Sequence, residues 1–366
     1  MKILKKKISD ICSKGTSSLS LKDLDGKDGD FPVYGAAGLA KKVNFYQQEN
    51  KYLAIIKDGS GVGRLYRFDG KTSVLGTMQY IFPNGNVDYS FCYYALQSID
   101  FKKYVNGAAI PHIYFKDYSQ EEIPLPPMEE QKRIAARLDA VSDLLTKQKQ
   151  LLSEQDNLIQ STFYDMFGTP FKNEKGFPYL QIKDLVSDVQ YGTSQKADYT
   201  GKMPILRMNN ITYSGEMDYT DLKYIDLEEE TNKYILKKGD VLFNRTNSRE
   251  LVGKTGVFNL DKLMVYAGYL IRVRLKEICL PIFLTKYMNT PQLKAFLKEK
   301  CKGIVGQANI NAKEFQAIPI FLPPFELQQK FAAVAEQIEA EKSKIKSAIA
   351  ETQTLFNALM AEYFEE

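Results

Sequence analysis

Residues 125–139 read LPPMEEQKRIAARLD and residues 322–336 read LPPFELQQKFAAVAE, an ungapped match at an offset of 197 residues. The offset persists beyond these stretches, setting Lys147 against Lys344, Glu154 against Glu351, Leu158 against Leu355 and Phe167 against Phe364. A repeat this long is not the short period of a solenoid. It describes two copies of one unit: a globular region, a Pro-Pro turn and a long helix. Four segments follow, a globular region at 1–127, a helix at 128–168, a second globular region at 169–324 and a second helix at 325–366.

The helices carry a heptad seam. In the first it falls at Ile134, Leu138, Val141, Leu145, Gln148, Leu152, Gln155, Ile159, Thr162 and Met166. In the second it falls at Phe331, Ala335, Ile338, Lys342, Ile345, Ile349, Thr352, Phe356, Leu359 and Tyr363. Alternating steps of three and four make a coiled-coil pattern, and Gly168, Thr169 and Pro170 end the first copy. Forty residues make a rod of about 60 Å, whose apolar stripe would stay wet if the helix stood alone. The two copies are therefore expected to pair. Pseudo-twofold repetition makes that pairing antiparallel, with Gln148, Gln155 and Lys342 fixing register at some cost in stability.

The globular regions read as mixed α and β. Short runs such as YLAII, SVLGTMQYIF, DVLFN and LIRVRL predict strands, and residues 91–99 and 281–302 predict helices. The expected fold class is α+β: two mixed domains joined by two long helices in an antiparallel coiled coil. The halves also match each other weakly. KISDI at 7–11 parallels QIKDL at 181–185, each followed by a Gly-Thr-Ser; Val62-Gly63-Arg64 parallels Val252-Gly253-Lys254, and His112 falls opposite Asn309.

Charge divides unevenly. The net +4 of the chain conceals −2 on each long helix, a further −2 from the terminal Glu365 and Glu366, +4 on residues 1–127 and +6 on residues 168–324. Basic globular parts on acidic struts suit a polyanion. No apolar run reaches membrane-spanning length, and four scattered cysteines without CxxC spacing predict buried free thiols in a reducing cytoplasm. One histidine leaves little for a metal site, and no cofactor or metal is expected.

These residues resemble the specificity subunit of type I restriction–modification systems. The LPP-x-E-x-Q helix starts, the GQANIN-to-IPIFLPP exit of the second half and the DFPVYGAAG of the first carry the resemblance. It implies that each globular half is a target recognition domain for one half of a bipartite double-stranded DNA sequence. It further implies that the helices set the spacing and dock two methyltransferase subunits, with restriction subunits joining through the complex. The subunit itself would have no catalysis; adenine methylation and cleavage belong to the partners. Glu129 with Glu326 and Gln131 with Gln328 occupy equivalent places in the two copies and are candidate partner contacts.

The residues themselves agree with a binding role. Gly59-Ser60-Gly61-Val62-Gly63 imitates a nucleotide loop, but its counterpart in the second half lacks the glycines. Gly253-Lys254-Thr255 imitates the end of a P-loop, yet Ser248 stands where the first glycine is required. No Asn-Pro-Pro-Tyr or Asp-Pro-Pro-Tyr is present for amino-methyl transfer. The polar stretch FNRTNSRELVGKTG offers Asn244, Arg245, Asn247, Arg249 and Lys254, in which arginine suits guanine and asparagine suits adenine. Its counterpart IKDGSGVGRLYRF offers Lys57, Ser60 and Arg64. Further candidates are His112, Arg207, Asn209, Asn210, Gln307 and Asn309. For any one of them a turn-capping role weighs as much as a base contact. Two rival readings stay open at this stage, a coiled-coil scaffold for proteins and a methyltransferase or nuclease with its own activity.

Overall fold

The computed structural model describes residues 4–107, 110–226, 229–304 and 307–365. They form two compact units, one built from Met1–Lys149 and Ser347–Glu366 and the other from Gln150–Lys346. Each unit combines one globular region with half of each long helix.

In the first unit a four-stranded sheet runs in the order Cys12–Thr16, Met78–Pro83, Tyr52–Ile56, Leu65–Phe68. A three-stranded sheet runs Gly38–Val43, Asp28–Gly35, Ser73–Val74, its last pair parallel. The apolar run YLAII is buried at every position because both of its faces are covered. Leu53 and Ile55 pack with Phe91 and Ala95 of the helix Tyr89–Gln97, while Tyr52, Ala54 and Ile56 pack with Val74, Met78 and Tyr80. The run SVLGTMQYIF does not form one strand. It breaks at Gly76, whose N–H donates to Leu19 O at 2.8 Å instead of joining a ladder.

The second unit repeats the topology. Its four-stranded sheet runs Val186–Tyr191, Leu270–Leu275, Val241–Asn244, Thr255–Val257. Its three-stranded sheet runs Lys223–Ile225, Met203–Leu206, Val265–Tyr266, again with a parallel last pair. A small third sheet joins Thr246–Asn247, Gln307–Asn309 and Lys302–Ile304. The helical stretch expected at 281–302 is two helices, Pro281–Met288 and Pro291–Lys300. Pro291 cannot donate into a continuing helix, and the Thr290 hydroxyl caps the second helix by accepting from Leu293 N. The Gly-Thr-Ser triplets are not equivalent. Thr16 pairs with Gln79 and, at the equivalent place, Tyr191 pairs with Ile271, so Gly15 lies within its strand while Gly192 lies just past the end of Val186–Tyr191.

Both long helices run for forty residues, Met128–Phe167 and Phe325–Phe364. Within the first unit Arg137 donates to the Tyr363 hydroxyl at 2.9 Å and Gln148 to the Thr352 hydroxyl at 3.2 Å. Within the second, Phe163 packs on Phe331 and Asp156 accepts from Lys342 at 2.5 Å. In both units residue numbers rise along one helix as they fall along the other, so the pairing is antiparallel. Every seam position named above is buried or half-buried. Gly168, at φ +79°, turns the first helix off, and its N–H reaches back to Tyr164 O at 2.8 Å.

One expectation is corrected at the helix starts. Gln131 and Gln328 are not partner-facing; they are 2% and 0% exposed. Gln131 Oε1 accepts from Asp88 N at 2.8 Å, while Nε2 donates to Pro126 O at 2.9 Å and Asn86 O at 3.3 Å. Gln328 repeats the pattern with Leu280 N at 2.9 Å, Pro323 O at 2.9 Å and Ile278 O at 3.1 Å. In each unit one amide ties the helix start to the globular region by satisfying backbone groups that would otherwise be buried unpaired. Gln131→Leu and Gln328→Leu should each cost about 1–3 kcal/mol in urea unfolding. A loss below about 0.5 kcal/mol in both would show that water replaces the amide.

Candidate nucleic-acid interface

The polar stretch of the second unit leaves the central strand Val241–Asn244 at Arg245. There the backbone is gripped on both sides: Arg245 N donates to Tyr269 O at 3.0 Å, and Arg245 O accepts from Ile310 N at 2.9 Å. The guanidinium lies over the Tyr191 ring, 4.9 Å from its centroid, and makes no hydrogen bond among the described residues. Arg245 itself is half-buried, with Nε buried and unpartnered among the described residues, while the Tyr191 ring beneath it is 42% exposed, so the guanidinium lies at the margin of the surface. Asn309 is exposed on the strand beside it, and half-buried Asn247 accepts from Ser248 N at 2.8 Å. Arg249 is exposed, with Nε 3.3 Å from Lys298 O, and lines a cavity of about 480 Å³ together with Tyr213 and Lys294. Burial and then the neighbouring Lys254 push the Lys294 ammonium down to about 8.

Three candidates of this unit point away from solvent. Lys254 is 7% exposed, and its ammonium donates to Met208 O at 2.7 Å and to Ile211 O at 2.5 Å. Asn210, 1% exposed, accepts from Arg207 N and donates to Asp218 O and Asp221 O. Asn244 is fully buried, and neither amide atom finds a partner among the described residues. Lys254 and Asn210 hold the loop through these bonds rather than reach a ligand. Arg207 and Asn209 both donate to Asp221 Oδ2, at 2.8 and 3.1 Å, so the arginine's charge is already compensated. The side chain of Gln307 lies outside the described residues.

In the first unit, Lys57 is half-buried and pairs with Asp58 at 3.1 Å, while Ser60 and Arg64 are exposed. His112 is held by its backbone, which exchanges hydrogen bonds with Asn106 at 2.8 and 2.9 Å, and its ring packs edge-on to Tyr114. Gly63 and Gly253 make the same left-handed turn at φ +88°. A Cβ there would lie 2.8 Å from Phe101 Cβ in one unit and 2.4 Å from Leu297 Cδ1 in the other, so both turns demand glycine. The aromatic platform Tyr191 was missed from sequence. Its place at the end of strand Val186–Tyr191, just before the Gly-Thr-Ser, was the available signal.

All four cysteines are buried free thiols. Among the described residues no group of histidine, cysteine or carboxylate side chains could hold a metal, and no helix is long and apolar enough to cross a membrane.

Comparison with known proteins adds the decisive observation. The sequence signature described as the type I restriction modification DNA specificity domain matches residues 2–155 and 174–352, once over each repeat. The chain belongs to this family. It is 26% identical over 281 residues to the type I restriction enzyme EcoKI specificity subunit of Escherichia coli K12, covering 70% of this chain and 60% of that protein. It is 24% identical over 268 residues to the StySPI specificity subunit of Salmonella potsdam, covering 69% and 58%. The chain thus spans about three fifths of the length of these relatives. Its fold is that of the type I S subunit crystal structure from M. genitalium, with a TM-score of 0.64 at 15% identity over 99% of this chain and 96% of that one. A chain from a study of complex assembly and conformational transition in a type I system also matches, with a TM-score of 0.51 at 17% identity over 99% and 98%.

Proposed function

We propose that this protein is the non-catalytic DNA-reading subunit of a type I restriction–modification complex. Residues 1–127 and 169–324 are its recognition domains, each reading one half of a bipartite duplex target. Segments 128–168 and 325–366 form the spacer that sets the separation of the half-sites. The observation that carries this reading is the repetition of one topology with two different polar loops. A protein reading a symmetric site would need one loop twice, whereas a split, asymmetric target needs two. Phosphates fix register through the basic surface while base edges are read in the major groove.

The helices also dock two methyltransferase subunits. Glu129 and Glu326, exposed at equivalent places near the two helix starts, are the contacts we assign to them. Restriction subunits join through that complex, which works in the cytoplasm. The chain supplies no chemistry, so methyl transfer to adenine and cleavage fall to its partners.

Exchange of residues 169–324 for the corresponding domain of another family member is expected to change one half of the methylated motif and leave the other intact. Sequencing of modified adenines in cells supplied with the methyltransferase subunit reads the outcome. A swap that alters both halves would refute independent reading. Purified chain that methylates DNA with S-adenosylmethionine and no partner would refute the non-catalytic role.

A further inference from the structure

The two units share more than topology. Strand Tyr52–Ile56 pairs with Met78–Pro83 so that Ile56 faces Met78, and Val241–Asn244 pairs with Leu270–Leu275 so that Asn244 faces Leu270. Ile56 and Asn244 are thus equivalent, and the residues after them are Lys57 and Arg245. The backbone around these two confirms the match bond for bond. Lys57 N donates to Thr77 O at 3.0 Å, as Arg245 N does to Tyr269 O; Lys57 O accepts from Ile113 N at 2.9 Å, as Arg245 O does from Ile310 N. Asp58 then bridges to His112 as Thr246 pairs with Asn309. One place in the fold, gripped on both sides, holds a cation in both units.

Resting on the functional reading above, we propose that this place is the base-reading position of each recognition domain. Arg245 reads a guanine in one half-site, Tyr191 is its positioning residue, and Lys57 reads the equivalent position in the other. In the second unit the other arginines are already engaged: Arg207 with Asp221, Arg272 with Asp188, Arg274 with Asp240 and Arg249 with Lys298 O. Arg245 alone among the described arginines of that unit meets neither a carboxylate nor a carbonyl; it is half-buried, its Nε is buried without a partner, and the Tyr191 ring it lies over is 42% exposed.

The Tyr191 ring removes rotamer freedom from the guanidinium before DNA arrives, so less entropy is lost on binding. Tyr191 is itself held, its hydroxyl accepting from Ala312 N at 2.8 Å. The following Gly192 packs so tightly that a Cβ would lie 2.3 Å from Ala267 O. A planar fork on a fixed stem matches guanine O6 and N7. Lys57 is a point charge with three donors and shares Asp58, so its base preference is expected to be the weaker of the two.

The test uses the full chain and a pool of randomised duplexes, with the enriched motif read by sequencing. Wild type should enrich a split motif. Arg245→Ala and Arg245→Lys should each erase one guanine from one half and weaken binding of the wild-type site about ten- to a hundredfold, the lysine variant keeping its affinity for unrelated DNA. Tyr191→Ala should blur that same position, while Tyr191→Phe, which keeps the ring, should not. Lys57→Ala should blur a position in the other half only. The proposal is overturned if Arg245→Ala weakens all duplexes alike with the motif intact, which marks a phosphate contact. It is also overturned if Tyr191→Phe fails as badly as Tyr191→Ala, which assigns the tyrosine to capping Ala312. A wild-type chain that enriches no split motif overturns the functional reading itself, and this assignment with it.

Discussion

Replacing Lys342 by methionine is expected to destabilise the second unit by about 3–5 kcal/mol at neutral pH. Lys342 occupies a seam position that the heptad would fill with leucine or isoleucine, and its side chain is 1% exposed. Its ammonium is tolerated there because three carboxylates surround it: Asp156 of the first helix at 2.5 Å, Glu339 of its own helix at 3.3 Å, and Glu216 of the globular region. Lys346 reaches the other oxygen of Glu216 at 2.5 Å. Burial alone would lower the Lys342 pKa, but Asp156, Glu216 and Glu339 outweigh it and raise the value. Burial likewise works to raise Glu216, and the two lysines overcome it to hold that carboxyl below its usual range.

Methionine removes the cation shared by three carboxylates, leaving Asp156 without its lysine, Glu216 with Lys346 alone and Glu339 with Lys286. Because the folded-state pKa of Glu216 is depressed, its contribution is present above the unfolded value, about 4.3. It is lost as pH falls through the lower folded value. The gap between wild type and Lys342→Met should therefore be widest above about pH 5 and narrow below about pH 4. Urea unfolding followed by circular dichroism at pH 7 and at pH 3 measures both arms. A gap of equal size at the two pH values would mean that the methionine fails through packing and that the ion cluster contributes nothing. Adding Asp156→Asn and Glu216→Gln to the variant should recover much of the loss, since a buried charge cluster removed whole costs less than one broken.

The architecture was legible in sequence because the repeat displays it twice. Seam residues, the Pro-Pro turns and the His112–Asn309 equivalence follow from an offset that holds without gaps across the helices and the segments leading into them. Where the two halves differ in loop length the eye slips. The Gly-Thr-Ser triplets look alike but sit two places apart in strand register. The polar residues proved harder still. Gln131, Gln328, Lys254 and Asn210 have surface-type side chains yet are buried, because backbone carbonyls and N–H groups brought from other segments satisfy them. Asp88, Ile278, Met208 and Asp221 cannot be paired with them from spacing. Conversely, the free charge of Arg245 shows only once each other arginine of its unit has found a partner. Composition places arginines in a loop; the fold decides which of them is left over.

Lengthening both helices by one heptad should abolish modification of the original target. Each helix passes from one compact unit to the other at its middle, between Lys149 and Gln150 in the first and between Lys346 and Ser347 in the second. Seven residues inserted at both points keep the seam in phase, because the pairing repeats every heptad. They add about 10 Å of helix, or roughly three base pairs at 3.4 Å each. Three base pairs also turn one half-site by about a third of a turn around the duplex, at about 10–10.5 base pairs per turn. If the helices set the separation of the half-sites, as proposed above, the lengthened protein meets its old half-sites at the wrong distance. It meets half-sites three pairs further apart at the right distance but the wrong angle, so recovery there demands twist from the DNA or the coiled coil. Insertion into one helix alone should instead break the pairing register, so that Gln148–Thr352 and Asp156–Lys342 cannot both be kept, and lower the melting temperature. Methylation with partner subunits supplied, across duplexes that differ only in spacer length, separates the cases. If both helices are extended and the preferred spacer does not change, the distance is set elsewhere and the paired helices serve only as a docking surface.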